Sequence, residues 1–167
     1  MTNHYSAKTV KLTDQMRMKA NSETINWINC FVAKEVLPLP SETGSSFELK
    51  LFDQANSFKS AIVRKNNEVG LSRIVSTFDY LHKKDNQTYI VDEEGINMPW
   101  NNTTNTLAWA EIPESIKEVG SIYTVQGFDL NYVGVVLAPS ISYNRDTNKL
   151  IRFSYPPFFG VYQLLCV

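Results

Sequence analysis

The hydrophobic pattern changes period several times along this chain, and each change marks a candidate element. Residues 8–18 read as a short strand running into a polar turn. Ile25, Ile28 and Val32, with Trp27 and Phe31, then recur at helical spacing, which predicts a helix. Asn21 or Ser22 is its expected N-cap, and Glu23 sets a carboxylate in the first turn. Pro38 and Pro40 are expected to close this helix. Residues 47–53 alternate with period two and predict a strand. A second helix should follow with Asp53 as N-cap and Phe58, Ala61, Ile62 and Leu71 on its buried face. Gly70 falls where a C′ residue with positive φ is expected. Residues 71–78 are apolar and β-branched and predict a central strand. A strand–helix–strand unit of this kind sets its two strands parallel.

Residues 79–110 break the pattern. They are polar, carry Trp100 and Trp109, and read as an insertion made of a hairpin near Glu94 and Gly95 plus a loop. Beyond it, residues 121–124 and 132–138 are each expected to be buried strands, and a hairpin should turn at Asn144 to Asn148. The final stretch, PPFFGVYQLLCV, is apolar; it reads either as a last core strand or as a natural fold cut short.

Composition narrows the function classes. The 167 residues suit one domain, and 43% hydrophobic content supports a real core. Sixteen basic residues against seventeen acidic ones leave a net charge of −1, so nucleic acid could be held only by a local patch. No apolar run approaches the ~18 residues of a membrane span. The first residues are too polar for a secretory leader, and Cys30 and Cys166 show no metal-ligand spacing. These features together suggest a cytoplasmic protein without a membrane partner. His4 and His82 have no evident partner for a metal site or a triad, and Asp92, Glu93 and Glu94 cannot converge from one strand. Arg64 and Arg73 are expected to face solvent or sit in ion pairs. Lys83 and Lys84 near Tyr80, Tyr89 and Trp100 read as a solvated loop whose aromatics cover the core, rather than as a stacking surface for single strands.

The stretch with the densest hydrogen-bonding chemistry is SIYTVQGFDLNYVGVVLAPS. Between apolar runs it places the hydroxyl of Thr124, the amide of Gln126, the carboxylate of Asp129 and the conformational freedom of Gly127. Ligands of parallel sheets bind at strand carboxyl ends, where such a turn is expected to lie. Spacing alone leaves a capped β-turn and a ligand site both open.

YTVQGFDLNYVGVV resembles motif V of superfamily 1 helicases: a threonine, then Gln-Gly or Lys-Gly, then an acid, then an apolar strand. The wider chain, over roughly residues 10–150, is similar to predicted ATPases allied to the Schlafen group 3 helicase-like proteins. LTDQMRMKANSETINWINCFV resembles the segment around motif IV, and LKLFDQANSFKSAIVRKNNEVGLSRIVSTFDY the family's strand–helix–strand unit.

The resemblance implies a second RecA-like motor domain, α/β in class, with a mainly parallel sheet, flanking helices and a hairpin insertion. It implies that Arg17 reaches the γ-phosphate of ATP, a task suited to a planar, permanently charged fork. Gln15, Thr124, Gln126 and Gly127 would lie at the nucleotide and its coupling turn, and Asp129 would reach toward the ribose. The sequence departs from a whole motor. It has no G-x-x-x-x-G-K-[ST] phosphate loop, no Walker B acid and no motif VI arginine. The expectation is therefore a motor-domain fragment, inactive alone and binding no cofactor alone. It would use ATP and Mg²⁺ only with a P-loop domain supplied in cis or in trans, and act on DNA or RNA when complete. The alternative expectation is a stand-alone interaction module that docks a partner ATPase or nuclease.

Overall fold

The computed structural model describes residues 18–43, 46–83, 85, 87–93, 95–102 and 107–152, and the backbone of 162–166. The expected strand at 8–18 lies almost wholly outside these residues.

A seven-stranded sheet organises the chain. Its strands are β1 (Leu49–Phe52), β2 (Ser72–Ser76), β3 (Tyr89–Glu93), β4 (Ile96–Trp100), β5 (Val119–Ser121), β6 (Tyr132–Leu137) and β9 (Tyr162–Cys166), in the order β1-β9-β6-β2-β5-β4-β3. The centre is parallel: β2 pairs with β6 from Ser72↔Tyr132 to Ser76↔Val136 and with β5 from Ile74↔Val119 to Ser76↔Ser121. β4 joins β5 in parallel through Trp100↔Val119. The margins are antiparallel, β3 on β4 and β9 between β1 and β6. The fold is thus α/β with a mainly parallel central sheet, consistent with a RecA-like fold. β1 and β2 point the same way, as a strand–helix–strand unit requires, but β9 and β6 lie between them. The apolar C-terminal stretch contributes β9, a strand inside the sheet.

Helix α2 (Ala55–Val69) covers one face. Its Phe58, Ala61 and Ile62 are buried with Ile74, Val91, Ile96, Trp100, Val119 and Val136 in the main core. Each fully buried large side chain of this kind contributes about 1.5–3 kcal/mol. The helix packs closely because Gly134 of β6 has no side chain: a Cβ there would stand 2.6 Å from Phe58 Cζ. Two expectations for α2 need correction. The N-cap is Gln54, with no side-chain cap bond, so Asp53 lies one residue outside. Leu71 is exposed, because positive φ values at Gly70 and Leu71 turn the chain away from the helix face before β2 begins. Gly70 has φ 74° and ψ −179°, a region essentially reserved for glycine.

Helix α1 (Ser22–Val32) covers the other face, with Trp27 buried against Phe47 and Leu49. Asn21 is the N-cap, accepting the Thr24 N–H at 2.9 Å. The helix ends before the prolines. Lys34, at φ 70°, donates its N–H to Phe31 O, and Glu35 donates to Cys30 O, the paired bonds of a Schellman cap. Val32 is 77% exposed and not part of the buried stripe, because it falls on the last turn, beyond the sheet contact made by Trp27.

The hairpin of β7 (Ile141–Asn144) and β8 (Lys149–Arg152) turns where expected. It is tied to the exit of α1: Val36 N–H donates to Asn148 O and Leu150 N–H to Lys34 O. The β3–β4 hairpin also turns at Gly95, which has φ 77°. It does not stand apart from the sheet but extends it, and Trp100 enters the main core. Residues Trp109–Glu111 and Pro113–Lys117 form two 3₁₀ turns.

Candidate functional site

The parallel strands β2, β5 and β6 all end on one edge, and the connections that leave them surround a cleft of about 390 Å³. Thr77, Phe78 and Asp79 follow β2, Ile122 follows β5, Ser140 follows β6, and Arg152 comes from β8. The Asp79 carboxylate accepts from Thr77 Oγ1 at 2.8 Å and from Ser140 Oγ at 2.6 Å. Thr77 Oγ1 in turn accepts the Ala138 N–H at 3.2 Å. These bonds lock the β2 and β6 exits together and fix a carboxylate in the same cleft as a guanidinium.

The connection from β5 to β6 corrects one expectation. Of residues 121–124, expected as a strand, only Ser121 is in one. β5 stops at Ser121, and α3 (Ile122–Val125) begins at once. The cause is local chemistry. Ser121 Oγ accepts the Tyr123 N–H at 3.2 Å while Thr124 Oγ1 accepts the Ser121 N–H at 2.7 Å, a reciprocal cap that satisfies donors a strand would need to pair elsewhere. Ser121 Oγ also donates to Asn101 Oδ1 at 2.7 Å, which ties the cap to the end of β4.

After α3 the chain makes a type II turn. Gln126 has φ −61° and ψ 125°, Gly127 has φ 90°, and Phe128 N–H donates to Val125 O at 3.1 Å. A Cβ on Gly127 would meet nothing within 4 Å, so the turn needs glycine for its φ and not for close approach. Asn131 then clamps the opposite, amino-terminal edge: its N–H donates to Leu71 O and its Nδ2 to Val69 O. The connection therefore starts at the carboxyl edge and crosses to the other one.

The expected site residues divide accordingly. Arg17 and Gln15 lie outside the described residues. Thr124 is 9% exposed, and its hydroxyl, besides accepting from Ser121, donates to Ser121 O at 2.9 Å. It holds the shape of the connection. Gln126, Gly127 and Asp129 are exposed beyond α3. Ile122 and Val125, on either side of Thr124, line the cleft.

Three features escaped sequence reasoning. Phe78, Asp79, Ser140 and Arg152 come from the β2 exit, the β6 exit and β8, which only the tertiary fold brings together. Tyr123 was assigned to a buried strand but is 69% exposed. Arg73 was expected at the surface or in an ion pair and is 4% exposed. Its Nε donates to Ser115 Oγ, Nη1 to Asn66 Oδ1 and Ser72 O, and Nη2 to Ala110 O and Ile112 O. Desolvation lowers its pKa, but a guanidinium stays charged in proteins. The signal available in the sequence was a lone arginine in a β-branched run with no acid nearby. Arg64 does pair as expected, with Glu68 at 3.7 Å. Trp100 is buried and Tyr80 packs on it at 5.4 Å, so these aromatics cover the core, as expected. Burial, reinforced by the Glu93 carboxylate, raises the Tyr80 phenol well above its ordinary pKa. No helix among the described residues is long and apolar enough to cross a membrane.

Comparison with known proteins adds two findings. The family model described as "Schlafen group 3, DNA/RNA helicase domain" matches residues 1–155. An uncharacterized protein of Saccharomyces cerevisiae, YPL245W, is 33% identical over 148 residues. That match covers 80% of this chain but 33% of the yeast protein, so the chain spans about a third of its relative's length. No solved structure matches.

Proposed function

The chain belongs to the Schlafen group 3 family of DNA/RNA helicase domains, and from that premise we propose that it is the second RecA-like half of a nucleic-acid-dependent ATPase motor. The observation that carries this reading is the β5–β6 connection, where Thr124, Gln126, Gly127 and Asp129 run from the carboxyl edge of a parallel sheet, beside a cleft that also holds Asp79 and Arg152. Such edges are where α/β sheets hold ligands.

In this reading the half supplies electrostatics and coupling, and another lobe supplies the phosphate cradle. The 167 residues contain no G-x-x-x-x-G-K-[ST], the motif whose backbone N–H groups cradle the β- and γ-phosphates. ATP and Mg²⁺ would be held between this half and a P-loop domain, in cis or in trans, in the cytoplasm. Arg17 would stabilise the charge that spreads over the transferred phosphoryl group, with Gln15 beside it. Asp129 would contact the ribose. Thr124 acts through its cap: it fixes the direction in which Gln126 and Asp129 leave α3.

The test is an ATPase assay with Mg²⁺ and single-stranded nucleic acid. The chain alone should show no turnover. Joined to its P-loop lobe it should turn over, and Arg17→Ala in that complete motor should slow kcat by ~10³-fold or more. Turnover by the chain alone, or an Arg17→Ala motor as fast as the parent, would overturn the proposal.

A further inference from the structure

A contiguous exposed apolar patch marks an interaction surface, and the carboxyl edge has two aromatic side chains exposed side by side. Tyr123, on α3, is 69% exposed, and Phe78, just past β2, is 44% exposed. Their ring centroids are 5.3 Å apart at 83°. Phe78 is held from behind by the buried Trp100 at 5.5 Å and flanked by His82 at 6.1 Å. Ile122, next to Tyr123, is 66% exposed and lines the same cleft as Phe78 and Arg152.

The Tyr123 ring is therefore displayed and also preorganised. The reciprocal Ser121–Thr124 cap fixes its backbone. Gly120 lets the Trp109 ring lie against β5 beneath this cap, since a Cβ there would stand 2.7 Å from both Trp109 Cη2 and Thr124 Oγ1. Phe78 restricts the ring's rotamers. An aromatic face whose ordering cost is already met suits a flat, apolar-faced ligand, and Arg152 in the adjoining cleft suits an anionic linker. Nucleic acid with unpaired bases combines both features.

We propose that Tyr123, braced by Phe78, is a stacking platform for an unpaired base of single-stranded nucleic acid, with Arg152 contacting a neighbouring phosphate. This rests on the nucleic-acid motor reading and names where the strand touches this half. Stacking on one ring tolerates any base, so the site reads single-strandedness rather than sequence.

The test is fluorescence anisotropy with labelled oligo-dT and oligo-rU strands of about 15 nucleotides and a duplex of equal length, using this chain. The chain should bind one or both single strands more tightly than the duplex. Tyr123→Ala should weaken single-strand binding about tenfold or more, and Tyr123→Phe should keep it. Tyr123→Trp should also bind, and its added indole emission should quench on binding, which a purely structural residue would not show. Arg152→Gln should lower the slope of log affinity against log salt by about 0.7. Single-strand binding that is unchanged in Tyr123→Ala sinks the platform and leaves the motor reading standing. Failure of the parent chain to bind either strand also sinks the platform, whereas the motor reading falls only by its own ATPase test.

Discussion

Gly127 shows how a single residue sets the candidate site. Its φ of 90° completes the type II turn that ends α3, and no neighbour crowds the position. Gly127→Ala should therefore cost only the strain of placing a Cβ at positive φ, ~1–2 kcal/mol. Gly127→Asn should cost less, since asparagine tolerates that region. Urea unfolding measures both. Equal losses would mean that something other than φ is at stake. The turn was legible in the sequence because Gln-Gly between apolar runs is a strong local signal. That glycine serves φ and not close approach was decided by the space around it. For Thr124, the sequence showed a hydroxyl at a turn. It did not show that both hydrogen-bonding capacities of this hydroxyl go to Ser121.

Between elements, the tie that matters most is Arg73. From β2 it reaches the 3₁₀ segment over residues 109–117 with its Nε and Nη2, and Asn66 of α2 with its Nη1. This segment carries Trp109, whose indole lies against Gly120 under α3. Arg73 thus supports the candidate site from below without touching it. Arg73→Met should destabilise by about 2–3 kcal/mol, because several buried acceptors lose their donor. Arg73→Lys should recover only part, since an ammonium lacks the planar fork that spans these acceptors. Denaturant unfolding of the two variants checks this; a lysine variant as stable as the parent would refute the forked anchor. The helices themselves were readable from spacing, and α2's buried face matched at Phe58, Ala61 and Ile62. Their ends were less readable. Lys34 closes α1 through a Schellman cap that no proline or glycine advertises.

At the scale of the whole molecule, Lys65 links α2 to the centre of the sheet and to one margin. Its Nζ donates to Tyr132 Oη of β6 at 2.9 Å and pairs with Glu48, beside β1, at 3.2 Å. The bond to Tyr132, with the Glu48 charge, raises the Lys65 pKa. Burial pushes Glu48 up, but the hydrogen bond from Lys65 and the charges of Lys50 and Lys65 outweigh it and hold the carboxyl below its ordinary value. A depressed carboxyl stabilises the fold above its unfolded pKa of about 4.3 and stops doing so as pH falls through its lower folded value. A raised lysine stabilises below about 10.4 and stops as pH climbs through its higher folded value. Glu48 is over a third exposed, so solvent screens the pair and keeps it at ~1 kcal/mol or less. Glu48→Gln should lower Tm near neutral pH by a degree or two and make no difference at about pH 2–3, below the ordinary carboxylate range. A Tm gap that persists in acid would place the effect in packing instead.

The sequence by itself determined the α/β class, the two principal helices, the central strand β2 and the turn chemistry between β5 and β6. Each of these is written in short windows, as a period, a cap or a turn dipeptide, and local sterics and hydrogen bonding suffice to enforce it. Only the tertiary structure decided that β9 inserts between β1 and β6, that Arg73 is interior, and that Tyr123 and Phe78 meet at a displayed edge. Those outcomes depend on which distant strands pair, because the pairing fixes which face of each residue finds a neighbour and which is left to water.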